Sequence, residues 1–403
     1  MTRQPTHFFH FATATALTLT AAGLLFAGPL NPPAGPITST NKTLQEVEPR
    51  IAINLTNTPG DADSLFKITQ PGSYYLTGNI TGVVGKHGIE IAASGVTLDL
   101  MGFDLSGIPA MGAFDGVSAT IFNLTNITVR NGSVRGWGDE GVDLGSNVAI
   151  NSAIIDVRAS DNTGFGIAIG SYSTITGCTA TRNTSGGIFG QFNCTITACM
   201  VSFNTGNGVA TGQGSTITGC TTSRNTGNGI STGDGCTITG CTAQVNTLNG
   251  IAAGNGNTIT GCTASYNTAS GITTNGSMIA GCTTAYNTNN GIRVESGCVV
   301  LANTCFSNGS GSGVGAGILA AGSDNRIEGN NCTGADRGID VDGAGNIIIK
   351  NTCSGNTTAN WDIVANNVVG PILDRAAPAS AAILGNSAPS SLGTTDPNAN
   401  FTY

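Results

Sequence analysis

The stretch TITGCTTSRNTGNGISTGDGC, residues 216–236, is followed directly by TITGCTAQVNTLNGIAAGNGN, residues 237–257, so nearly the same 21 residues occur twice in succession. A fixed period of this length indicates a solenoid, in which each repeat contacts mainly its two neighbours. Short Thr and Ile segments separated by Asn and Gly are strand and turn signals, whereas helical repeats avoid these residues in their interiors. The stretch therefore predicts an all-β repeat.

Aligning the middle of the chain at this period produces three columns of like residues. The columns are Ile154, Ile175, Ile196, Ile217, Ile238, Ile259 and Ile279; Ile167, Ile188, Val209, Ile230, Ile251, Ile272 and Ile292; and Asn162, Asn183, Asn204, Asn225, Asn246, Asn267 and Asn287. Short strands joined by tight turns stack best as a parallel β-helix, in which successive coils lie about 4.8 Å apart. We therefore expect a single-stranded parallel β-helix with about 21 residues per coil, an isoleucine core and an asparagine ladder at one turn.

Several units of the repeat carry a family resemblance. The segments TITGCTASYNTASGI (258–272), RIEGNNCTGADRGI (326–339) and IIIKNTCSGN (347–356) resemble the right-handed parallel β-helix repeats of pectate-lyase-like and other exported, carbohydrate-associated proteins. The resemblance covers about residues 127–369. It implies a right-handed coil and polysaccharide as the class of partner, and it leaves open whether the protein binds or cleaves that partner.

Charged residues are scarce, at 9% of the chain, while 60 of the 403 residues are glycine. The regular recurrence of Ile, Val and Cys argues against the disorder that such a composition otherwise indicates. The formal net charge is −8. Because nucleic-acid binders concentrate Lys and Arg on one face, we expect no nucleic-acid partner.

The composition divides the chain into five segments. They are a signal peptide (1–28), a linker (29–45), an N-terminal cap with the first coils (46–115), the regular β-helix (116–370) and a C-terminal cap or tail (371–403). A cleaved signal predicts a secreted, periplasmic or cell-surface protein without a membrane span. The alternative is an uncleaved anchor, because the apolar run is close to spanning length. Caps are expected because an open stack exposes unpaired strand edges.

Cysteine recurs at the same position of successive coils. The first set is Cys178, Cys199, Cys220, Cys241, Cys262 and Cys282, and three later coils carry Asn303, Asn330 and Asn351 there, with cysteine two residues on at Cys305, Cys332 and Cys353. A shift of two residues keeps the same face of a strand, so both sets are expected to point inward. Reduced thiols, inter-coil disulfides and metal ligation all remain open. The first is favoured because stacked side chains point the same way, which strains a disulfide, and because no Cys-x-x-Cys pair indicates tetrahedral zinc.

The segment VRNGSVRGWGDEGVDLG, residues 129–145, concentrates charge in a chain otherwise poor in it. Glycoside hydrolases need two carboxylates across the sugar, and the lyases of the resembling family use calcium-binding acids with a basic residue. The candidate catalytic residues are Asp139, Glu140, Asp143, Asp156 and Arg158. Flanked by Arg130 and Arg135, they would form one acidic cleft. The alternative is a loop whose ion pairs secure the first regular coils. His87, the one histidine beyond the signal, is expected to be a turn residue.

The column immediately before the asparagine ladder mixes charged and aromatic residues. It contains Asp161, Arg182, Phe203, Arg224, Val245, Tyr266 and Tyr286. Such a mixture cannot all lie in a core, so we expect the column to face water. With Trp137 as an aromatic platform, Asp161, Arg182, Phe203, Arg224, Tyr266 and Tyr286 are candidate carbohydrate-binding residues. The alternative is an ordinary exposed strand edge.

The sequence RGIDVDGAGN supplies Asp336, Asp340 and Asp342 as candidate calcium ligands, with polar turns as the alternative. No other cofactor is expected. The first functional hypothesis is an exported, non-catalytic protein that binds polysaccharide or serves as a cell-envelope or surface scaffold. A polysaccharide lyase or glycoside hydrolase acting on acidic polysaccharide is the alternative, and a tailspike-like or adhesin subunit is a second one. The sequence indicates no oligomeric state.

Overall fold

The computed structural model describes residues 48–145, 149–309, 313–374 and 395–402. Within these ranges the chain is an all-β, right-handed parallel β-helix without any α-helix. The coil stack belongs to the compact unit that begins at Arg50. The predicted signal peptide and linker lie outside the described residues. None of the described residues forms a helix with the length and hydrophobicity that a membrane crossing requires.

One long sheet takes a single strand from each coil, and in the described residues it has fourteen parallel strands. These are Ser64–Ile68, His87–Ile91, Val117–Ser118, Val142–Leu144, Phe165–Ile169, Gly186–Gly190, Val209–Thr211, Ile230–Thr232, Ile251–Asn255, Ile272–Asn275, Ile292–Val294, Ala316–Ala320, Arg337–Val341 and Ala359–Ile363. We call it the single-strand sheet. Its neighbours pair in register, as with Ile230 between Val209 and Ile251.

A second sheet takes two strands from most coils, and in the described residues it has 28 strands. Its first file is Ile51–Ala52, Gly72–Tyr75, Val96–Asp99, Thr128–Arg135, Ala153–Ser160, Thr174–Thr176, Thr195–Thr197, Thr216–Thr218, Thr237–Thr239, Thr258–Thr260, Met278–Ala280, Val299–Leu301, Arg326–Glu328, Ile347–Ile349 and Val368–Val369. Its second file shares Thr128–Arg135 and Ala153–Ser160 and adds Ile80–Thr81, Asp104–Ser106, Thr179–Thr181, Met200–Ser202, Thr221–Ser223, Thr242–Gln244, Thr263–Ser265, Thr283–Ala285, Thr304–Phe306, Asn331–Thr333, Thr352–Ser354, Asn400–Thr402 and Ile372–Asp374. We call it the double-strand sheet. Leu124–Thr125 and Ala149–Ile150 form a separate short pair.

The predicted isoleucine columns form the core. Ile217 lies between Ile196 and Ile238 in the double-strand sheet, and all three side chains are fully buried. Alternate residues of a strand point to opposite faces, so the threonines on either side of each isoleucine project away from the core. The sequence expectation of a continuous apolar interior is confirmed.

The predicted asparagine ladder is also confirmed. Asn225 is completely buried, and its Nδ2 donates to Oδ1 of Asn246 at 3.1 Å and to the carbonyl of Val201 at 3.2 Å. Its Oδ1 accepts from the backbone N–H and from Nδ2 of Asn204, at 3.1 and 3.0 Å. Each side chain therefore satisfies backbone groups that a buried turn would otherwise leave without partners.

All twelve cysteines are free and buried. The first set occupies a second ladder position, because Cys282 N–H donates to Oδ1 of Asn303 at 2.8 Å and Asn303 then bonds to Asn330. The interpretation of these cysteines as inward-pointing residues standing in an asparagine position is confirmed.

The C-terminal strand Asn400–Thr402 lies between the last two other strands of the second file. It pairs with Thr352–Ser354 and with Ile372–Asp374, and Thr402 Oγ1 accepts a hydrogen bond from Trp361 Nε1 at 2.8 Å. The described end of the C-terminal segment therefore pairs with the last coils.

Candidate functional site

The mixed column adopts an unusual backbone conformation. All seven residues, from Asp161 to Tyr286, have φ between 53° and 58°, and we call them the left-handed column. Their N–H groups bond from coil to coil, as from Arg224 to Gln244 O at 3.3 Å. Every side chain of the column is exposed, so the prediction that it faces water is confirmed.

This conformation is unfavourable for the side chains that occupy it. A left-handed backbone costs an L-residue roughly 1–2 kcal/mol, and a β-branched residue such as Val245 is a clear outlier there. At the preceding bend of the same coils, glycine fills five of the seven positions, as at Gly219 and Gly240, and Asp156 and Ala198 fill the other two. The left-handed column therefore carries arginine and aromatic side chains at a conformational cost, which is typical of positions held for a function.

The side chains of the left-handed column contact one another. Arg182 forms two hydrogen bonds to Asp161, at 2.7 and 3.0 Å. Arg224 lies 5.4 Å from the centre of the Phe203 ring. The rings of Tyr266 and Tyr286 stack at 4.8 Å, and Phe306 meets Tyr286 edge-on at 5.2 Å. The result is an exposed stripe of guanidinium groups and aromatic rings that runs across successive coils.

A second candidate region lies where the chain enters the strands Val117–Ser118 and Val142–Leu144 of the single-strand sheet. Asp115, Asp139 and Glu140 each place a carboxylate oxygen within 4.8 Å of the other two, and we call them the carboxylate cluster. Two parallel coils bring them together, because Glu140 N–H donates to Oδ1 of Asp115 at 2.9 Å. On the preceding coil, His87 Nδ1 lies 3.3 Å from Oδ2 of Asp115 and accepts the Asp115 N–H at 2.9 Å.

Burial and crowding change the protonation of this cluster. Burial, the hydrogen bond to Asp139 and the charges of Asp139, Asp115 and Asp143 raise the pKa of Glu140 to about 8. Burial alone would lower the pKa of His87, but the hydrogen bond and charge of Asp115 outweigh it and raise that pKa. Glu140 therefore holds a proton at neutral pH, which is the state a general acid requires.

Aromatic residues flank the cluster on the following coils. Gly141 N–H donates to the carbonyl of Phe165 at 3.0 Å, and the Phe165 ring lies 5.4 Å from that of Phe189. Asp143, whose Oδ1 accepts the Gly145 N–H at 2.7 Å, is nearly buried in its strand. Of the three carboxylates predicted in this segment, Asp139 and Glu140 thus join the cluster and Asp143 acts on it through its charge.

The prediction that Trp137 forms an aromatic platform is wrong. Its side chain is 1% exposed, and its Nε1 donates to the carbonyl of Leu105 at 3.0 Å. The indole fills space left by glycines, since a Cβ at Gly88 would lie 2.9 Å from its ring. It is a core residue and does not contact a ligand at the surface.

The predicted single acidic cleft is also wrong, because its residues divide between two sheets. Arg130 pairs with Asp99 at 3.0 Å and Arg135 with Asp104 at 2.6 Å, both on the double-strand sheet. Asp156, exposed at a bend of that sheet, and Arg158, bonded to Ser133 Oγ at 3.3 Å, lie there as well. Arg130 and Arg135 therefore form ion pairs that secure the first coils, which is the alternative prediction.

Sequence reasoning misses two members of this region. His87 is the first residue of a strand that faces the cluster, so its interpretation as a turn residue is wrong. Nothing in the sequence marks Asp115. The contacts from His87 to Asp115 and from Asp115 to Glu140 join residues 28 and 25 positions apart, whereas the regular coils repeat at 21. The irregular period of the first coils conceals this alignment.

The predicted calcium ligands do not assemble. Asp336 is buried and accepts a hydrogen bond from Thr357 Oγ1 at 3.1 Å, while Asp340 pairs with Arg337 at 3.3 Å. Asp340 and Asp342 line a cavity of about 530 Å³, and burial and the charge of Asp342 raise the Asp340 pKa to about 6.

In the described parts of the chain, two groups bring three acidic residues close enough to share an ion. One is the carboxylate cluster, whose three oxygens can hold a hard divalent ion such as calcium. The other is Asp61, Asp63 and Glu90, where the Lys67 ammonium lies 2.7 Å from Asp61 Oδ2 and 2.9 Å from Glu90 Oε2. In the second group, a lysine ammonium therefore already contacts two of the three carboxylates.

Comparisons with known proteins agree with the coil stack. The family model for the right handed beta helix region matches residues 87–243 and 210–316, which together span more than half of the chain. No curated protein matches the chain.

Solved structures with the same architecture share little sequence with the chain. A tailspike protein mutant of E. coli bacteriophage HK620, in complex with a pentasaccharide, has a TM-score of 0.57 at 13% identity, covering 92% of this chain and 81% of that chain. Another HK620 tailspike mutant, in complex with a hexasaccharide, has a TM-score of 0.51 at 13% identity, covering 83% and 70%. An A-module of an Azotobacter vinelandii mannuronan C-5 epimerase has a TM-score of 0.49 at 16% identity, covering 75% and 91%. At these identities the likeness to the two tailspike proteins shows the fold alone.

Proposed function

Because the chain belongs to the right-handed beta helix family, we propose that its coil stack is a non-catalytic scaffold that binds polysaccharide along the left-handed column. The observation that carries this proposal is the run of seven exposed residues at positive φ, five of which are arginine or aromatic. We further propose that the protein works outside the cytoplasm, as a secreted, periplasmic or cell-surface component. The similarity in fold to tailspike proteins solved with bound oligosaccharides supports the choice of ligand class.

The geometry of the left-handed column suits an extended ligand. Successive coils rise by about 4.8 Å, so the column offers a repeating set of contacts in one direction. Guanidinium groups donate hydrogen bonds to hydroxyl or carboxylate oxygens, and aromatic rings contact the C–H faces of sugars. Among the described residues no carboxylate forms an ion pair with Arg224, so its guanidinium is available to a ligand.

We expect the triple variant Arg224→Ala, Tyr266→Ala, Tyr286→Ala to lower polysaccharide affinity at least about tenfold, because it removes three side chains of the same column. Binding is measured by calorimetry against a panel of neutral and acidic polysaccharides. Phe192→Ala is the matched control, since Phe192 is 53% exposed but lies outside the left-handed column. Equal affinity of the triple variant and the wild type would contradict the proposal, as would a panel in which nothing binds.

A second candidate function is a polysaccharide lyase or glycoside hydrolase acting on acidic polysaccharide at the carboxylate cluster. The observation that favours it is the close approach of the Glu140, Asp139 and Asp115 carboxyl groups, which together with burial raises the pKa of Glu140. In either reaction, Glu140 would donate its proton to the leaving oxygen of the sugar chain. Phe165 and Phe189 would position the chain next to these groups.

If this second function holds, Glu140→Gln is expected to lower cleavage of acidic polysaccharide at least about 100-fold, because an amide cannot donate the proton. Reducing-end and unsaturated-product assays measure cleavage by the two reaction types. Asp156→Asn is the control, because Asp156 is an exposed carboxylate on the other sheet. Wild-type activity that disappears equally in both variants, or survives in Glu140→Gln, argues against this site.

A further inference from the structure

Six buried thiols form one straight file through the core. We call Cys178, Cys199, Cys220, Cys241, Cys262 and Cys282 the thiol column, and each is at most 1% exposed. Backbone bonds fix them on consecutive coils, as from Thr221 N–H to Cys199 O and from Thr242 N–H to Cys220 O, both at 2.9 Å. The file is uninterrupted over six coils.

All six side chains point the same way. Each Sγ donates to the carbonyl of an isoleucine of the coil before it, and the distances for Cys220, Cys241 and Cys262 are all 3.6 Å. Asn303, the next residue in the file, directs its Nδ2 to the equivalent carbonyl, that of Ile279, at 3.0 Å. Because the side chains are oriented alike, neighbouring sulfurs follow the coil rise of about 4.8 Å.

This spacing is close to twice a metal–sulfur bond, which is about 2.3 Å for thiolates. A cation midway between two adjacent sulfurs would therefore have two ligands in a line. Zinc needs four ligands around one point, which a single file cannot supply. Soft cations with few ligands are the ones that thiolate sulfur prefers.

We propose that the thiol column binds a row of soft monovalent cations of the copper(I) and silver(I) class, one between each pair of adjacent sulfurs. Six sulfurs give five such positions. Each cation that binds releases one thiol proton to solvent, so five cations leave five thiolates and one thiol, and the filled row is neutral. Neutrality matters because an unbalanced charge in a dry core is strongly unfavourable.

Little native bonding is lost when the row fills. The bonds that the thiols donate to carbonyls are long, at 3.3 to 3.9 Å, and sulfur is a weak donor. The backbone N–H groups that point at sulfur, as from Val157 to Cys178 at 3.5 Å and from Cys262 to Cys282 at 3.4 Å, remain and stabilise thiolate. The sulfurs of the thiol column can therefore coordinate a metal without leaving a strong hydrogen-bond donor unpaired.

Two other groups of cysteines provide internal comparisons. Cys305, Cys332 and Cys353 are direct register partners on three coils, so they supply two more positions of the same kind. Cys194, Cys236 and Cys298 are equally buried but have serine or asparagine neighbours. Ser215 separates Cys194 from Cys236, and Asn257 follows Cys236. These three thiols have no adjacent sulfur and supply no position.

The test is the silver stoichiometry of the full chain, reduced and handled without oxygen. Silver(I) is added to native protein and, separately, during refolding, so that a buried site is reached by at least one route. Weakly held silver is removed with a competing thiol, and the remainder is counted by elemental analysis. We expect seven silver ions per chain, with sulfur as the neighbour in X-ray absorption spectra.

Three variants give distinct counts. Cys220→Asn breaks the column in its interior and is expected to remove two ions, whereas Cys178→Asn shortens it and removes one. Asparagine is chosen because Asn303 occupies the equivalent position on the coil that follows Cys282. Cys236→Ser, matched to Ser215 in its own file, is expected to remove none. Circular dichroism verifies that each variant keeps the fold.

Two results of these silver counts would contradict a row of cations in the thiol column. If each cysteine variant removes one ion regardless of its position, the thiols bind silver independently and the row does not exist. If neither loading route leaves silver on the refolded or native wild type after competition, the column is purely structural. Neither result depends on whether the protein binds polysaccharide.

Discussion

Asn225→Ala is expected to lower the free energy of unfolding by about 3–6 kcal/mol, because it leaves two or three buried polar groups without partners at roughly 1–3 kcal/mol each. The N–H of Asn204 loses its side-chain acceptor at 3.1 Å, and the carbonyl of Val201 loses the donor at 3.2 Å. Water cannot replace these bonds, since Asn204 and Asn225 are at most 1% exposed. The effect should be largest at the centre of the ladder, where both neighbours depend on the same amide.

Asn228→Ala is the matched control. Asn228 belongs to a second row of stacked amides, where its Nδ2 bonds to Asn207 Oδ1 at 3.3 Å, but it is only partly buried. Water can take the place of its side chain, so we expect a loss of about 0.5–1.5 kcal/mol. Because long repeats can unfold in parts, urea unfolding is combined with hydrogen exchange of the Asn204 amide. Equal losses in the two variants would show that burial does not increase the contribution of the asparagine ladder to stability.

The regular coils could be predicted from sequence because in-register stacking places each residue over its own equivalent. Ile217, Asn225 and Cys220 each have the same residue type directly above and below, so a column in the alignment is a column in space. The exposed left-handed column followed from the same alignment. Its positive φ could not be predicted, because arginine, phenylalanine and tyrosine carry no signal for that conformation.

The carboxylate cluster was only partly predictable, for two physical reasons. The first coils are longer than the regular ones, so His87 and Asp115 do not align with Glu140 at the repeat period. In addition, sequence neighbours separate at the turn between the sheets. Arg135 ends a strand of the double-strand sheet, and Asp139 lies in the turn that leads into the single-strand sheet, although only three residues lie between them.

The burial of Trp137 could not be predicted from the sequence either. Its sequence neighbours are glycine and charged residues, which favours a surface position, yet its ring occupies the space beside Gly88 and Gly116 from earlier coils. A glycine signals a turn or a close approach, and the sequence does not say which large side chain approaches it. Such packing is visible only once the register of the irregular coils is known.

The protonation of Glu140 makes the stability of the folded chain depend on pH, and Glu140→Gln is expected to remove this contribution and to leave that of His87, whose pKa is also raised in the fold. The folded pKa is about 8 and the ordinary value is 4.5, so between these values the folded state holds a proton that the unfolded state has released. Stability therefore falls as pH rises through this window and becomes flat above about pH 8. A tenfold change in the acid dissociation constant corresponds to about 1.36 kcal/mol. Because Glu140 is only half-buried and solvent screens it, we expect a fall of about 2–3 kcal/mol between pH 5 and pH 9.

Urea unfolding at pH 5 and pH 9 measures this difference, and Asp156→Asn serves as the control because Asp156 is exposed and lies outside the cluster. Asp139→Asn provides a second check on the cause. Asp139 supplies the hydrogen bond and the first of the charges that raise the Glu140 pKa, so its neutralisation should reduce the pH dependence without abolishing it. A slope of full wild-type size in Glu140→Gln would place the proton on another group. A slope that falls most in Glu140→Gln and less in Asp139→Asn would identify Glu140 as the carboxyl that carries the proton and Asp139 as a cause of its raised pKa.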